Sequence, residues 1–399
     1  MGNLGGVSAI HRKTIVVTAL GTTQTLAWAS SYYLPAILGA PIAATLDVAP
    51  SVVFGVFSVA LLLSSCLAPA VGRVIDRHGG RPVLALSNVV LAAGLTMLGL
   101  AQGVGTLVGS WLVLGIGTAM GLYSPAFATM TRLYGLGARG PITGITLFAG
   151  FASTIGWPLS AFMLHHYGWR EACFFWAALN LLLCAPLNWL LIPPARAVPP
   201  LRQAAEAATD TAAPRGAMLV LAFFFAATRF VSGAFAAHLP RLLEGAGASA
   251  VAAIAAGALV GPAQVGARLF EFGLLRTVHP LIPARIATLL NPVGSACLAA
   301  LGPPGVSAFA ILHGAGNGML TIAGGTLPLA LFGPMGYGKR TGVLAVPTRI
   351  AESAAPLLFG LLIDRIGTAA IAVSAGICLA ACASLFALRV RPAAAAAAG

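Results

Sequence analysis

The stretch VVFGVFSVALLLSSCLAPAV-GRVIDRHGGR-PVLALSNVVLAAGLTMLGLAQ, residues 52–102, decides the fold. Neither residues 52–71 nor residues 82–102 carry a charged side chain. Between them, residues 72–81 hold three arginines, one aspartate and one histidine. An apolar block of roughly twenty residues is the length of a helix that crosses a bilayer core. The stretch therefore reads as two antiparallel membrane-spanning helices joined by a tight basic loop at the membrane surface.

The rest of the chain repeats that pattern. Of its 399 residues, 59% are hydrophobic and 8% are charged, with a mean hydropathy of +0.94. A soluble domain carries about 25% charged residues to cover its surface, and this chain cannot supply them. In lipid only helices and closed barrels satisfy the backbone. Barrel strands alternate apolar and polar residues over about ten positions, which the unbroken apolar blocks here do not. The expected fold is all-α, with twelve transmembrane helices in two pseudo-symmetric six-helix halves. The spans fall at 14–38, 52–71, 82–102, 106–130, 142–165, 173–192, 217–238, 250–270, 281–301, 306–332, 342–363 and 368–388. Residues 1–192 form the first half and 216–391 the second, joined by a Pro-, Ala- and charge-bearing linker at 193–215. The alanine run at 392–399 reads as a disordered tail. The first apolar block is long and followed by many others, so it reads as a retained helix rather than a cleaved signal peptide.

Charge tests this arrangement independently. Place both termini on one side of the membrane, and 17 of the 22 Lys and Arg residues lie on that side. They are Arg12, Lys13, Arg73, Arg77, Arg81, Arg132, Arg139, Arg196, Arg202, Arg215, Arg268, Arg276, Arg285, Lys339, Arg340, Arg389 and Arg391. Only Arg170, Arg241 and Arg365 fall on the other side, and Arg229 and Arg349 lie within spans. Cytoplasmic loops carry the excess of basic residues, so both termini are expected in the cytoplasm of a multi-pass inner (plasma) membrane protein. The net charge of +13 is spread in twos and threes between apolar blocks, which argues against a nucleic-acid surface. The six cysteines include no CxxC, and no disulfide is expected. Cys378 and Cys382, one turn apart, read as small core residues, with a soft-metal site as the alternative.

The halves also echo each other. Gly144 and Pro158 recur as Gly342 and Pro356, each 198 residues later. Each proline precedes an interhelical glycine (Gly168, Gly367). Parallel repeats of this kind are a transporter organisation.

The loop Gly72-Arg73-Val74-Ile75-Asp76-Arg77-His78-Gly79-Gly80-Arg81 resembles the Gly-x-x-x-Asp-(Arg/Lys)-x-Gly-(Arg/Lys)-(Arg/Lys) signature of the major facilitator superfamily. Gly80 departs from it, standing where the family usually has a basic residue. Gly150-x5-Gly156-Trp157-Pro158 loosely resembles a fifth-helix pattern often described in exporters. It lacks that pattern's Gly-Pro pair, so the direction of transport stays open. Gly168-Trp169-Arg170 is also a common family pattern, while the second-half counterpart at 266–271 is degenerate. The resemblance implies secondary transport by alternating access. It also implies a gating motif of Gly72, Asp76, Arg77, Gly79 and Arg81, in which the aspartate and arginines bond across the two halves when the cavity faces outward.

Ionisable residues inside a membrane are costly and are functional candidates. Arg229 lies mid-span. Arg349 and Glu352 sit three residues apart on one helix face and can pair. His313 and Asn317 share a face on another helix. One reading puts Arg229 and Arg349 around an anionic substrate, with Glu352 or His313 exchanging a proton. The competing reading is purely structural pairing. Gln24, Trp28 and Tyr32 form a stripe on the first span that can line a pocket, although Tyr32 and Tyr33 also suit an interfacial aromatic belt. Tyr123 and Asn317 complete the expected substrate set, and Trp157 is a weaker candidate. His238 and Glu244 are expected outside the membrane or at its interface.

No G-x-x-x-x-G-K-[ST] run is present, and the nine acidic residues are too dispersed for a membrane enzyme. The expected function is a secondary transporter without cofactor, monomeric, proton-coupled and leaning to a small organic anion. The alternatives are a proton-driven multidrug or metalloid exporter and, from a different class, a channel-like facilitator. Asp76→Asn should abolish most transport while leaving the folded yield and melting temperature unchanged. Wild-type flux in that variant, measured in proteoliposomes, would count against the gating role.

Overall fold

A computed structural model of the chain describes residues 4–134, 138–194, 215–275, 278–332 and 337–388. Helix occupies each of the twelve expected segments, and no strand occurs among the described residues. The first half comprises α1 (Leu4–Ser30, continued by Pro35–Thr45), α2 (Pro50–His78), α3 (Gly80–Gly99) and α4 (Val104–Gly121, then Tyr123–Tyr134). It ends with α5 (Arg139–Ala149, then Ala152–His166) and α6 (Trp169–Leu179, a π-helical Asn180–Cys184, then Ala185–Leu191). The second half comprises α7 (Arg215–Gly245), α8 (Ala250–Ala258, then Val260–Leu274), α9 (Leu281–Leu301), α10 (Val306–Phe332), α11 (Tyr337–Ile366) and α12 (Ala370–Ser384). Ten stretches among the described residues are long and apolar enough to cross a membrane. One of them, Arg340–Ala387, contains most of α11 and all of α12, which are separated at Gly367 (φ 58°). Most of the expected linker and all of the tail lie outside the described residues, as do Arg276, Arg389 and Arg391.

Several helices run beyond the apolar blocks. α2 continues through Arg73, Asp76 and Arg77 to His78 because arginine is a good helix former and nothing there breaks the ladder. It stops at Gly79, whose φ of 85° suits glycine. α8 likewise continues past Arg268, which the sequence places at the basic end of a span, to Leu274.

Proline lies three residues beyond the breaks in α4 and α8, at Pro125 and Pro262. A proline has no N–H, so the carbonyl four residues before it loses its helical donor, and in lipid that carbonyl must find another. In α4, Pro125 frees the Gly121 carbonyl, and the Gln24 side-chain amide of α1 donates to it. In α8, Pro262 frees the Ala258 carbonyl, and the Thr154 hydroxyl of α5 donates to it at 2.8 Å. The breaks in α5 and α8 therefore meet. Gly261 lets the two backbones close, since a Cβ there would lie 2.6 Å from the Gly150 carbonyl oxygen.

The apolar core is asymmetric along the helix axes. One buried cluster includes residues of both halves, from Leu38, Phe54, Phe57 and Trp111 to Phe235, Leu239, Phe309 and Phe359. It fills the end remote from the basic loops. His238 belongs to this seal, not to an exterior loop: it is 1% exposed, its Nε2 bonds the Pro356 carbonyl at 2.7 Å, and its ring lies 4.1 Å from Phe54. Toward the basic loops the core divides. One cluster there, around Val16, Leu20, Met130 and Ile145, belongs wholly to the first half. Another, around Leu221, Phe224, Leu281 and Leu327, belongs wholly to the second. The halves are thus packed together at one end and parted at the basic end.

Close helix approach is testable at α2–α4, where a Cβ on Gly115 would lie 2.7 Å from the Ala60 carbonyl oxygen. Gly115→Val should destabilise the protein by about 1–3 kcal/mol and lower its melting temperature in detergent. Gly376→Ala, with no atom within 4 Å of the added Cβ, should leave it unchanged or slightly higher.

A candidate binding cavity between the halves

A cavity of about 320 Å³ lies between the halves. α1 contributes Trp28 and Tyr32, α2 contributes Leu61, Ser64, Ser65 and Ala68, and α4 contributes Thr118 and Leu122–Pro125 among others. From the second half come Arg229 of α7 and Thr348, Arg349, Glu352 and Ser353 of α11. The wall is mostly apolar with a few convergent polar groups, as in small-molecule sites.

The charged groups are held differently. Tyr32 donates from its hydroxyl to Glu352 Oε1 at 3.2 Å, a bond from α1 to α11 that links the halves. Pro356 frees the Glu352 carbonyl, and α7 packs beside it through Gly233, where a Cβ would lie 3.1 Å from that oxygen. Arg349 does not pair with Glu352, although the two lie three residues apart. Its Nη1 instead reaches across to the Ser65 carbonyl at 3.5 Å, which Pro69 has freed in α2. Arg229 makes no hydrogen bond or ion pair among the described residues and lies within electrostatic reach of Tyr32 and Tyr123. Trp28 holds the aromatic wall, with its ring 4.9 Å from those of both Tyr32 and Tyr123. Its indole Nε1 is buried without a partner.

The structure therefore gathers Trp28, Tyr32, Tyr123, Arg229, Arg349 and Glu352 around one space. It places three other expected site residues elsewhere. Gln24 is not among the residues that line the cavity, and its amide is taken by the freed Gly121 carbonyl. Asn317 accepts from Ser232 at 2.8 Å, and His313 meets Asn291 at 3.4 Å. Both line a separate space of about 10 Å³ inside the second half, walled by α7, α9, α10 and α12. Trp157 is likewise buried, donating to the Tyr33 carbonyl at 3.2 Å in the core beside α8.

One functional candidate escapes sequence reasoning. Arg268 is 8% exposed in α8 and donates across the halves to the Thr146 carbonyl at 2.8 Å. Taken as the basic end of a span, it looks unremarkable. The signal that marks it is the apolar run beyond it, Leu269, Phe270, Leu274 and Leu275.

In the basic loop Asp76 and Arg77 are exposed, and the Asp76 carboxylate has no ion-pair partner among the described residues. Arg132 Nη1 donates to the Asp76 backbone carbonyl, and Arg81 lies over the Trp189 ring at 4.5 Å. Gly80 has no room for the basic residue usual in the family, since a Cβ there would collide with the Thr129 side chain.

The helices, the basic loop and the cavity shared by two halves together define a multi-pass membrane protein of transporter class. The chain belongs to the Major Facilitator Superfamily, whose family profile matches residues 20–307. Among curated proteins it is 26% identical over 130 residues to Multidrug resistance protein fnx1 of Schizosaccharomyces pombe. That match covers 32% of this chain and 24% of the relative, so the chain spans about a quarter of that protein's length. It is 29% identical over 311 residues to an uncharacterized 38 kDa protein in the 23S RNA operon of Thermoproteus tenax, covering 76% of each. Among solved structures, the nucleoside transporter NupG (D323A mutant) is similar at a TM-score of 0.74 and 14% identity, covering 94% of this chain and 99% of that one. A bacterial homolog of the human lysosomal transporter Spinster, inward-facing and occupied, is similar at 0.69 and 15%, covering 94% and 96%. At these identities the structural likeness concerns the fold.

Gln24→Leu should leave the Gly121 carbonyl buried and unpaired, costing about 1–3 kcal/mol. The melting temperature should fall while ligand affinity of the folded fraction is kept. Loss of affinity at unchanged stability would return Gln24 to the binding site.

Proposed function

We propose that this protein is a secondary active transporter that moves a small organic anion across the inner membrane by alternating access, coupled to protons. One observation carries the reading: two arginines and a single glutamate line one cavity shared by both halves. An arginine in a membrane protein needs a partner, and Arg229 has none among the described residues. A substrate carboxylate supplies it, with Arg349 as the second arm.

Among the described residues, Glu352 is the only acid in the cavity wall. Ionised, it competes with an anionic substrate for the arginine field. Protonated, it yields that field to the substrate and keeps its bond to Tyr32 with the roles of donor and acceptor free to exchange. Proton and anion then favour each other's binding, and the coupling is reciprocal. Asp76, Arg77 and Arg81 act as the gate of the basic end, bonding across the halves when that end closes. With the basic end in the cytoplasm, the state described is the inward-open one. His313 and Asn317 are assigned a supporting role in the packing of the second half.

A second reading is favoured by the aromatic wall of Trp28, Tyr32 and Tyr123 and by the segment shared with the multidrug resistance protein. In that reading the cavity takes apolar or cationic drugs for export.

Binding to purified protein and flux in proteoliposomes separate the two. Arg229→Ala and Arg349→Ala should each weaken anion binding at least about tenfold, the worth of a charged hydrogen bond, with folding intact. Glu352→Gln should keep anion binding and lose its rise at low pH. Drug-induced stabilisation that survives both arginine variants, with no response to acids, would favour the exporter.

A further inference from the structure

We propose that Arg268 determines charge specificity in the cavity, so that the preferred substrate is a small organic dianion rather than a monoanion; this rests on the anion reading above.

Among the described residues, Arg268 is a buried cation without an anion. Its Nη1 donates to the Thr146 carbonyl of α5 at 2.8 Å. Its Nε donates to the Gly318 carbonyl, and its Nη2 to Gln264 Oε1 and Thr321 Oγ1, each at 3.4 Å. All four acceptors are neutral. They fix the guanidinium in place and leave its charge uncancelled. Glu271 lies one turn further along α8 with its Oε2 unpartnered, and it makes no ion pair with Arg268 among the described residues. Cations inside membrane proteins pair with acidic groups or with backbone carbonyls, and only the acidic groups cancel the charge.

The position explains what the charge is for. Arg268 neighbours the Tyr123 side chain and lies within electrostatic reach of Tyr33 and Arg229. Tyr123 and Arg229 both line the cavity. Arg268 thus stands behind the cavity wall near Tyr123 and adds its field through a medium of low dielectric. Arg229, Arg349 and Arg268 leave an excess of two positive charges while Glu352 is ionised and of three once it is protonated. A monoanion cancels one of them. A dianion cancels two, with one anionic group toward Arg229 and Arg349 and the other toward Tyr123.

The test compares succinate with butyrate, which share a four-carbon chain and differ in one carboxylate. Binding of each is measured calorimetrically on the purified full chain at a pH where both succinate groups are ionised. Wild type should bind succinate about tenfold more tightly or better. Arg268→Gln should bring that ratio close to one by weakening succinate alone, and Arg268→Lys should keep most of the preference. If Arg268 serves only as a latch between α5 and α8, Arg268→Gln lowers the melting temperature and leaves the ratio unchanged, which overturns the proposal while the anion reading stands. Equal affinity of wild type for the two acids overturns it in the same way, and decides the matter alone if Arg268→Gln does not fold. If neither acid binds wild type, both readings fall.

Discussion

A carbonyl freed by proline in a helix that water cannot reach governs much of this structure. Pro69, Pro125 and Pro262 each strip a donor from the carbonyl four residues before them. The replacements come from other helices: Arg349 for Ser65, Gln24 for Gly121 and Thr154 for Ala258. Two of these three bonds cross from one half of the protein to the other. A local defect in one helix thereby becomes a tie between helices, and the bends land where the halves meet.

Those ties sit beside glycines that let backbones approach, as Gly261 does against Gly150 and Gly233 against Glu352. The pairs α5–α8 and α2–α11 consequently hold the two halves together at mid-depth, while the ends are free to differ. At one end a continuous apolar core with Phe54, His238 and Phe359 joins the halves. At the basic end the core is split into two. The cavity lies at the transition, and this is why its wall mixes aromatics from the sealed side with serines, arginines and a glutamate.

The same geometry gives the Tyr32–Glu352 bond a particular place. It is a polar link between halves, made at the cavity wall by a residue able to exchange a proton. Whatever changes the charge of Glu352 changes both the cavity field and a contact between the halves. In the proposed mechanism, binding and rearrangement then share one element, as allosteric coupling requires.

The helical segments and their order were legible in the sequence because bilayer thickness sets the apolar block length, and because basic residues gather in alternate loops. The motif at residues 72–81 placed the family for the same local reason: a tight basic turn is written in contiguous residues. Arg229, Arg349 and Glu352 stood out because charge is rare inside apolar blocks. Which polar residues face the cavity was not legible. Gln24 lies on the same helix face as Trp28, yet it turns to the Gly121 carbonyl, because Pro125 on a distant helix leaves that carbonyl bare. Arg268 looked like the end of a span, yet α8 carries it inward to acceptors on α5 and α10. Hydropathy determines which segments enter the membrane. Only the packing of helices against one another decides which donors meet which bare acceptors, and so which charges are left for a substrate.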